Sequence, residues 1–288
     1  MRYPKNDDGN RMESMQRQFD AVNYKSVFKR TRETTSCGPS GLHMSHWKAA
    51  CQSDSLSRIH SFLIWSAFSL GFGYPRWERS WHCMLQKKKY PYCDKMRIIQ
   101  LFEGDFNGAL KFLIGRKMMQ QVVATNQLDD NMFGSIPGRT AQEALITLHS
   151  LVDNHRLTLR NMMVVLNDAE GCYDRIRPNH LAMVLRRLGC PVPMSVGLCR
   201  ILRRMKHHIR TSAGISSGYI QWNSTSEPFI TILEGMIMEI LANIGGIGQG
   251  GGFGPFGWFA VMLILLFCYK QYASGSNSID PHAILCVI

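Results

Sequence analysis

The sequence predicts an α+β protein, on three observations. Long stretches repeat their apolar residues at helical spacing, and two short apolar runs read as strands. A composition of 45% hydrophobic and 19% charged residues describes a folding chain, and 288 residues suffice for one large domain or two modest ones. No internal repeat of solenoid or propeller length is visible.

The elements follow in order. Residues 1–35 are polar and charged, with Lys29-Arg30-Thr31-Arg32 near their end, and read as an arm or as a helix that needs a partner. Gly, Pro and Ser make a loop of Thr34 to Gly41. From His43 to Leu70 apolar residues, Trp47, Ile59, Leu63 and Phe68 among them, recur at helical spacing until Gly71-Phe72-Gly73-Tyr74-Pro75 ends the helix. Lys87-Lys88-Lys89 and Pro91 mark a turn, and Met96-Arg97-Ile98-Ile99-Gln100-Leu101 is the short strand it leads to. Asp105 to Ala124 reads as a helix with Phe106, Leu110, Leu113 and Met118 on one face. Gly134 to Gly138 breaks the chain. Thr140 then caps a helix to about His155, with Glu143 completing a capping box.

Met162 to Leu166 is the second apolar run, a buried strand that ends in Asn167-Asp168. Leu181 to Leu188 is helical, stopped by Gly189 and Pro191, and a basic helix covers roughly 194–207. Ile240 to Tyr269 holds no charged residue, and Phe256 to Tyr269 is almost wholly apolar. Fourteen residues fall short of the roughly 20 that span a bilayer, so a buried core helix is expected, with membrane association as the alternative.

Charge narrows the function. Thirty-three Lys and Arg against 21 Asp and Glu give +12. From Lys206 onward three basic residues face four acidic ones, so residues 1–205 carry +13. A field this lopsided attracts polyanions, nucleic acid first among them. The nine cysteines show no CxxC spacing, which argues against a zinc ribbon or a small disulfide scaffold and suits reduced thiols inside a cell. The N-terminus lacks the apolar segment of a secretory signal, and Lys29 to Arg32 is too short a cluster to define nuclear import.

The sharpest chemical signal is the strand that delivers Asn167-Asp168-Ala169-Glu170-Gly171-Cys172-Tyr173-Asp174-Arg175-Ile176. A carboxylate at the end of a buried strand is a common way to hold a divalent cation, because Mg²⁺ takes carboxylate oxygens together with substrate phosphates. Strands often end in Asp, so the residues around it decide. This stretch resembles motif A of reverse transcriptases, in which an Asp on a palm strand is followed by a small residue, an aromatic and often a second acid. The resemblance makes Asp168 the catalytic, metal-binding carboxylate, Tyr173 the aromatic gate against a nucleotide 2′-hydroxyl, and Asp174 the second acid.

Other segments fall into the family's order. Gly246-Ile247-Gly248-Gln249-Gly250-Gly251-Gly252-Phe253-Gly254-Pro255 is similar to motif B, in which glycines let backbone approach a base pair and Gln249 and Gly250 face the nucleotide. Met96 to Leu101 resembles the fingers motif whose arginine, here Arg97, reaches the incoming triphosphate. Lys88, within Lys87-Lys88-Lys89, takes the place of the preceding lysine. Gly134 to Ala141 resembles the loop and helix that position a template strand. Pro39 to Ala49 and Phe106-Asn107-Gly108-Ala109-Leu110-Lys111 look like fingers segments of reverse transcriptases carried by retrotransposons. The similarity covers roughly residues 36 to 265, and its strength lies in the order of the motifs.

The resemblance implies a right-hand polymerase architecture of fingers and an incomplete palm, without a thumb. Residues 1–35 form an N-terminal arm, 36–158 a fingers-like region and 159–288 a truncated palm, with motif A over 164–176 and motif B over 246–258. Gly254 replaces the family's serine before Pro255. An apolar stretch from Phe229 to Ile244 stands where the family has a short connection, as an insertion or unspliced sequence would. The larger departure is motif C, an aromatic and a spacer before paired aspartates: after Gln249 the one acid is Asp280, with no neighbouring Asp. The implied activity is RNA-templated DNA synthesis in intact relatives, with Mg²⁺ as cofactor and an RNA template, a DNA primer and deoxynucleoside triphosphates as partners. Without motif C the expectation for this chain is inactivity. The alternatives are a non-catalytic nucleic-acid-binding remnant, a membrane-associated protein held by residues 240–269, and a reading frame that yields no stable protein.

Overall fold

A computed structural model describes residues 19–86, 96–130, 132–159, 173, 176–211, 214–220 and 251–274. Within them the protein is α+β, as the sequence predicts, with helices packed on one another and a small mixed sheet joined to them through the turn before its first strand. The expected strand Met162 to Leu166 lies outside the described residues.

From Phe19 onward the N-terminal segment is the helix with a partner. Helix α1 (Ala21–Phe28) starts at Asp20, whose carboxylate accepts the Asn23 N–H at 2.8 Å. One turn apart, Tyr24 and Phe28 are both buried, and the Tyr24 hydroxyl meets Trp47 O at 3.3 Å and His60 Nδ1 at 3.0 Å. The single helix expected over His43 to Leu70 is two, α2 (Met44–Ala50) and α3 (Asp54–Leu70). Ser53 explains the break: its hydroxyl accepts the Leu56 N–H at 3.3 Å and so caps a new helix rather than continuing the old one. Gly71 ends α3 in the left-handed conformation (φ 71°), and a Cβ there would lie 2.8 Å from Pro193 O, so the site requires glycine twice over.

After a 3₁₀ turn, Pro75–Glu78, the chain enters β1 (Arg79–Gln86), which pairs antiparallel with β2 (Met96–Leu101). β1 also pairs in parallel with β3 (Lys206–Thr211), which in turn takes β4 (Gly214–Ile215) and β5 (Tyr219–Ile220) antiparallel. The helix expected over Asp105 to Ala124 is present in three sections: α4 (Gly104–Leu110), a π-helical stretch Lys111–Lys117, and α5 (Met118–Ala124). Helix α6 (Ala141–Leu157) begins in the capping box read from Thr140 and Glu143, with both reciprocal hydrogen bonds made. α7 (Pro178–Arg187) and α8 (Val192–Arg204) pack on each other, and α8 packs on α3. The basic helix expected over 194–207 thus ends at Arg204, where the chain turns into β3. The apolar C-terminal stretch is α9 (Gly254–Ser274), seated on α7 and on the π-helical stretch, with Phe256, Phe259 and Ala260 buried in the core. Among the described residues no helix is long and apolar enough to cross a membrane.

Aromatic rings fill the centre. Phe106 stacks on Trp77 (5.1 Å between ring centroids) and on Phe68 (6.3 Å). Beside them lie two buried carboxylates. Asp105, 1% exposed, accepts a forked pair from the Arg76 guanidinium and the Trp77 indole N–H at 3.1 Å. Glu103, fully buried, accepts the Ser40 N–H at 2.7 Å and hydroxyl at 2.6 Å, with Arg76 Nη1 3.9 Å away. Removing one partner of such a pair leaves a charge stranded in a poor solvent, at about 3–5 kcal/mol. Arg76→Met is therefore expected to lower unfolding stability by about 3 kcal/mol in urea titration, and adding Asp105→Asn to restore part of it. Equal midpoints for wild type and Arg76→Met would contradict this.

Candidate nucleic-acid interface

The described residues include two of the six positions picked from the sequence. Arg97 lies on β2, exposed, in register with Leu85 of β1. Tyr173 is partly buried and packs against the hydrophobic core. Asp168, the expected Mg²⁺ ligand, lies outside the described residues, as do Lys88, Gln249 and Gly250.

Strand alternation gives the sheet two unlike faces. The register of β2, β1 and β3 places Arg97, Leu85, Cys83, Trp81 and Arg79 on one face with Lys206, His208 and Arg210. Arg79, Arg97, Lys206 and Arg210 are exposed there, and no carboxylate belongs to this face of the three strands. The Arg210 guanidinium sits 5.0 Å from the centroid of the Trp81 ring. His208 Nδ1 lies 3.1 Å from Ser216 O in the loop between β4 and β5.

The opposite face carries a polar cluster across all three strands. Ser80 Oγ is 2.8 Å from His207 Nδ1, and the Gln100 amide nitrogen lies 3.1 Å from Ser80 Oγ and 3.2 Å from His207 Nδ1. The His82 and His207 rings are 4.6 Å apart. Burial is the first cause of their weak basicity: it pushes His82 down to about 4, and with the neighbouring His82 and His208 it pushes His207 down to about 3. Both imidazoles are neutral at pH 7.

A second basic region is concave. A cleft of about 470 Å³ opens between α1 with the segment after it and the helix that runs from Gly104 through the π-helical stretch. Arg30, Arg32, Lys111 and Arg116 line it, together with Thr31 and Thr35, over a floor that includes Phe28 and Phe112. Next to it the glycine-rich turn is fastened to the same helix. Gly252 N–H donates to Asn107 Oδ1 at 2.6 Å, and a Cβ at Gly252 would come within 2.6 Å of Lys111 Cβ. Asn107 and Gly252, from two segments that the sequence alone likened to separate motifs, therefore meet at one contact.

Comparison of the chain with protein-family models and with curated proteins found no match. The sequence reading missed the cleft and most of the basic sheet face. Lys111 and Arg116 stand five residues apart, a spacing that belongs to one side only in a π-helix. Arg79, Lys206 and Arg210 come together only through a parallel pairing of strands more than a hundred residues apart. Cys37, Cys51, Cys83, Cys190 and Cys199 are free thiols, and among the described residues no group of three His, Cys, Asp or Glu is placed to hold a metal.

Two outcomes follow from this geometry. Histidines whose folded values lie below the unfolded 6.5 make the native state bind fewer protons than the unfolded one. Their stabilisation is complete above about pH 6.5 and is lost as pH falls toward 4, by up to roughly 1.4 kcal/mol per pH unit per imidazole. Urea titrations at neutral and mildly acidic pH check this, and His207→Gln should flatten the slope. Separately, Gly252→Ala should cost about 1–3 kcal/mol through overpacking against Lys111, read as a lowered thermal midpoint. A midpoint unchanged by the added methyl would refute that close approach.

Proposed function

We propose that this chain is a reverse-transcriptase-like domain that holds nucleic acid on the basic face of its sheet and does not itself polymerise. One observation carries the reading. Arg97, matched to the family's triphosphate-gripping arginine, stands exposed on a face it shares with Arg79, Lys206 and Arg210 and with no carboxylate. Arginine forks pair bidentately with phosphate and lysine adds a point charge, so such a face is suited to a polyphosphate or a polynucleotide backbone. The contact between Asn107 and Gly252 supports the reading a second way, since it joins two motif segments as parts of one domain would be joined.

In this reading Asp168 holds Mg²⁺, Tyr173 screens the sugar, Lys88 and Arg97 grip the triphosphate, and Gln249 and Gly250 border the nascent pair. An RNA template and a DNA primer are the natural occupants. Two-metal phosphoryl transfer needs carboxylates from two places around ions about 3.5–4 Å apart. The sequence after Gln249 offers Asp280 alone. In this reading binding by the basic face needs no second carboxylate, whereas turnover by two metals does.

The test is a primer–template assay on purified residues 1–288. Binding of an RNA template with an annealed DNA primer should weaken linearly with the logarithm of salt, and Arg97→Gln with Arg210→Gln should weaken it roughly tenfold. No Mg²⁺-dependent extension is expected. Extension that Asp168→Ala abolishes would overturn the inactive half of the proposal. Binding that is absent, or indifferent to salt, would overturn the other half.

A further inference from the structure

The cleft beside α1 is distinct from the sheet face in both its elements and its shape, and its cations are uncommitted. Arg30, Arg32, Lys111 and Arg116 are all exposed, and among the described residues none of them forms a salt bridge and no acidic residue lines the cleft. Four like charges converging on one concavity repel one another and raise the local affinity for an anion. Two of them converge through an unusual backbone. In an α-helix, positions five apart lie about 140° around the axis. Lys111 and Arg116 lie in a π-helical stretch, in which the Met118 N–H reaches back five residues to Leu113 O, and this wider turn brings them toward one side. Such stretches cost backbone stability and occur often at functional sites.

We propose that this cleft takes the phosphates of a single polynucleotide strand, an inference that rests on the nucleic-acid reading above. A cleft of about 470 Å³ is larger than one phosphate needs, and its cations come from both walls, as a backbone threading between them requires. The Thr35 side chain adds a hydroxyl at the rim, while the Thr31 hydroxyl donates to Val27 O at 3.0 Å and offers only its lone pairs, and the apolar floor suits sugars and bases rather than a second row of charges. A lipid surface is flat and does not reach the floor of a concavity.

Fluorescence anisotropy of the full chain with a labelled single-stranded oligouridylate, between about 50 and 200 mM salt, reads the site directly. Arg30→Gln, Arg32→Gln and Arg116→Gln together should weaken binding by roughly 10- to 100-fold and lower the salt slope by about 2, at about 0.7 per lost single-strand contact. The same three positions changed to Lys should keep most of the slope. All three side chains are exposed, and a thermal midpoint equal to wild type confirms that folding is intact. If the glutamine variant binds as wild type does while Arg97→Gln with Arg210→Gln weakens binding, the cleft assignment is overturned and the sheet face stands. If the wild-type chain binds no RNA, both fall. Arginine-dependent binding of inorganic tripolyphosphate, with RNA affinity unchanged, would overturn the polynucleotide as occupant. Arginine-dependent binding of phosphatidylserine vesicles, again with RNA affinity unchanged, would overturn it in favour of a membrane.

Discussion

The arrangement of this protein depends on one cation. Arg76 lies within 6 Å of the Trp47, Tyr74 and Trp77 ring centroids and reaches two carboxylates, Asp105 and Glu103, that are almost wholly removed from water. Neither acid could be buried alone, because an unpaired carboxylate in the interior costs several kcal/mol. The two acids flank Gly104, where β2 gives way to α4, so the ion cluster fixes the angle at which the long helix leaves the sheet. Glu103 also holds Ser40, which pins the loop before α2 close enough that a Cβ on Gly38 would meet Glu103 backbone at 2.8 Å. The positions of Lys111 and Arg116, and hence the cleft, follow from that angle.

The sheet then sorts its side chains by the pleat. One residue out of register would exchange the faces, moving the neutral histidine cluster into water and four cations into the core. Both sides resist the slip. The buried face satisfies Ser80, Gln100 and His207 with one another across three strands, and the open face keeps its guanidinium and ammonium groups solvated. The fold thus spends a buried polar network to hold the register that displays the basic face.

What could be read in advance divides along the range of the interactions responsible. The capping box at Thr140 and Glu143 is local, within four residues, and is present as read. The strand Met96 to Leu101 is dense in aliphatic side chains and is likewise found. β1 and β3 were not read because Arg79 to Gln86 and Lys206 to Thr211 carry Arg, Lys, His, Ser and Gln, which have little intrinsic strand preference. Pairing with each other across the chain makes them strands, and no window of sequence contains that information. The π-helical stretch is similar: Lys111 to Lys117 has an ordinary helical composition, and the wider turn is seen only where Gly115 lets the backbone oxygen of Gly252 come to 3.1 Å of where a Cβ would stand. Of the residues chosen for chemistry, Arg97 and Tyr173 have described surroundings, whereas Asp168, Lys88, Gln249 and Gly250 do not.

Binding and catalysis place different demands on such a chain. A phosphate backbone is held by many weak, additive charge contacts, each of which releases counterions, so the loss of any one lowers affinity by a modest factor. Phosphoryl transfer depends on a few carboxylates acting as a unit, and losing one member removes most of the rate. The sequence carries thirteen excess positive charges before Lys206 and a single acid after Gln249. The two basic surfaces are built by elements that the Arg76 cluster and the sheet register already hold in place. A grip distributed over a fold in this way would weaken by steps as contacts are lost, whereas phosphoryl transfer, which rests on a few carboxylates acting together, would fail with the first of them.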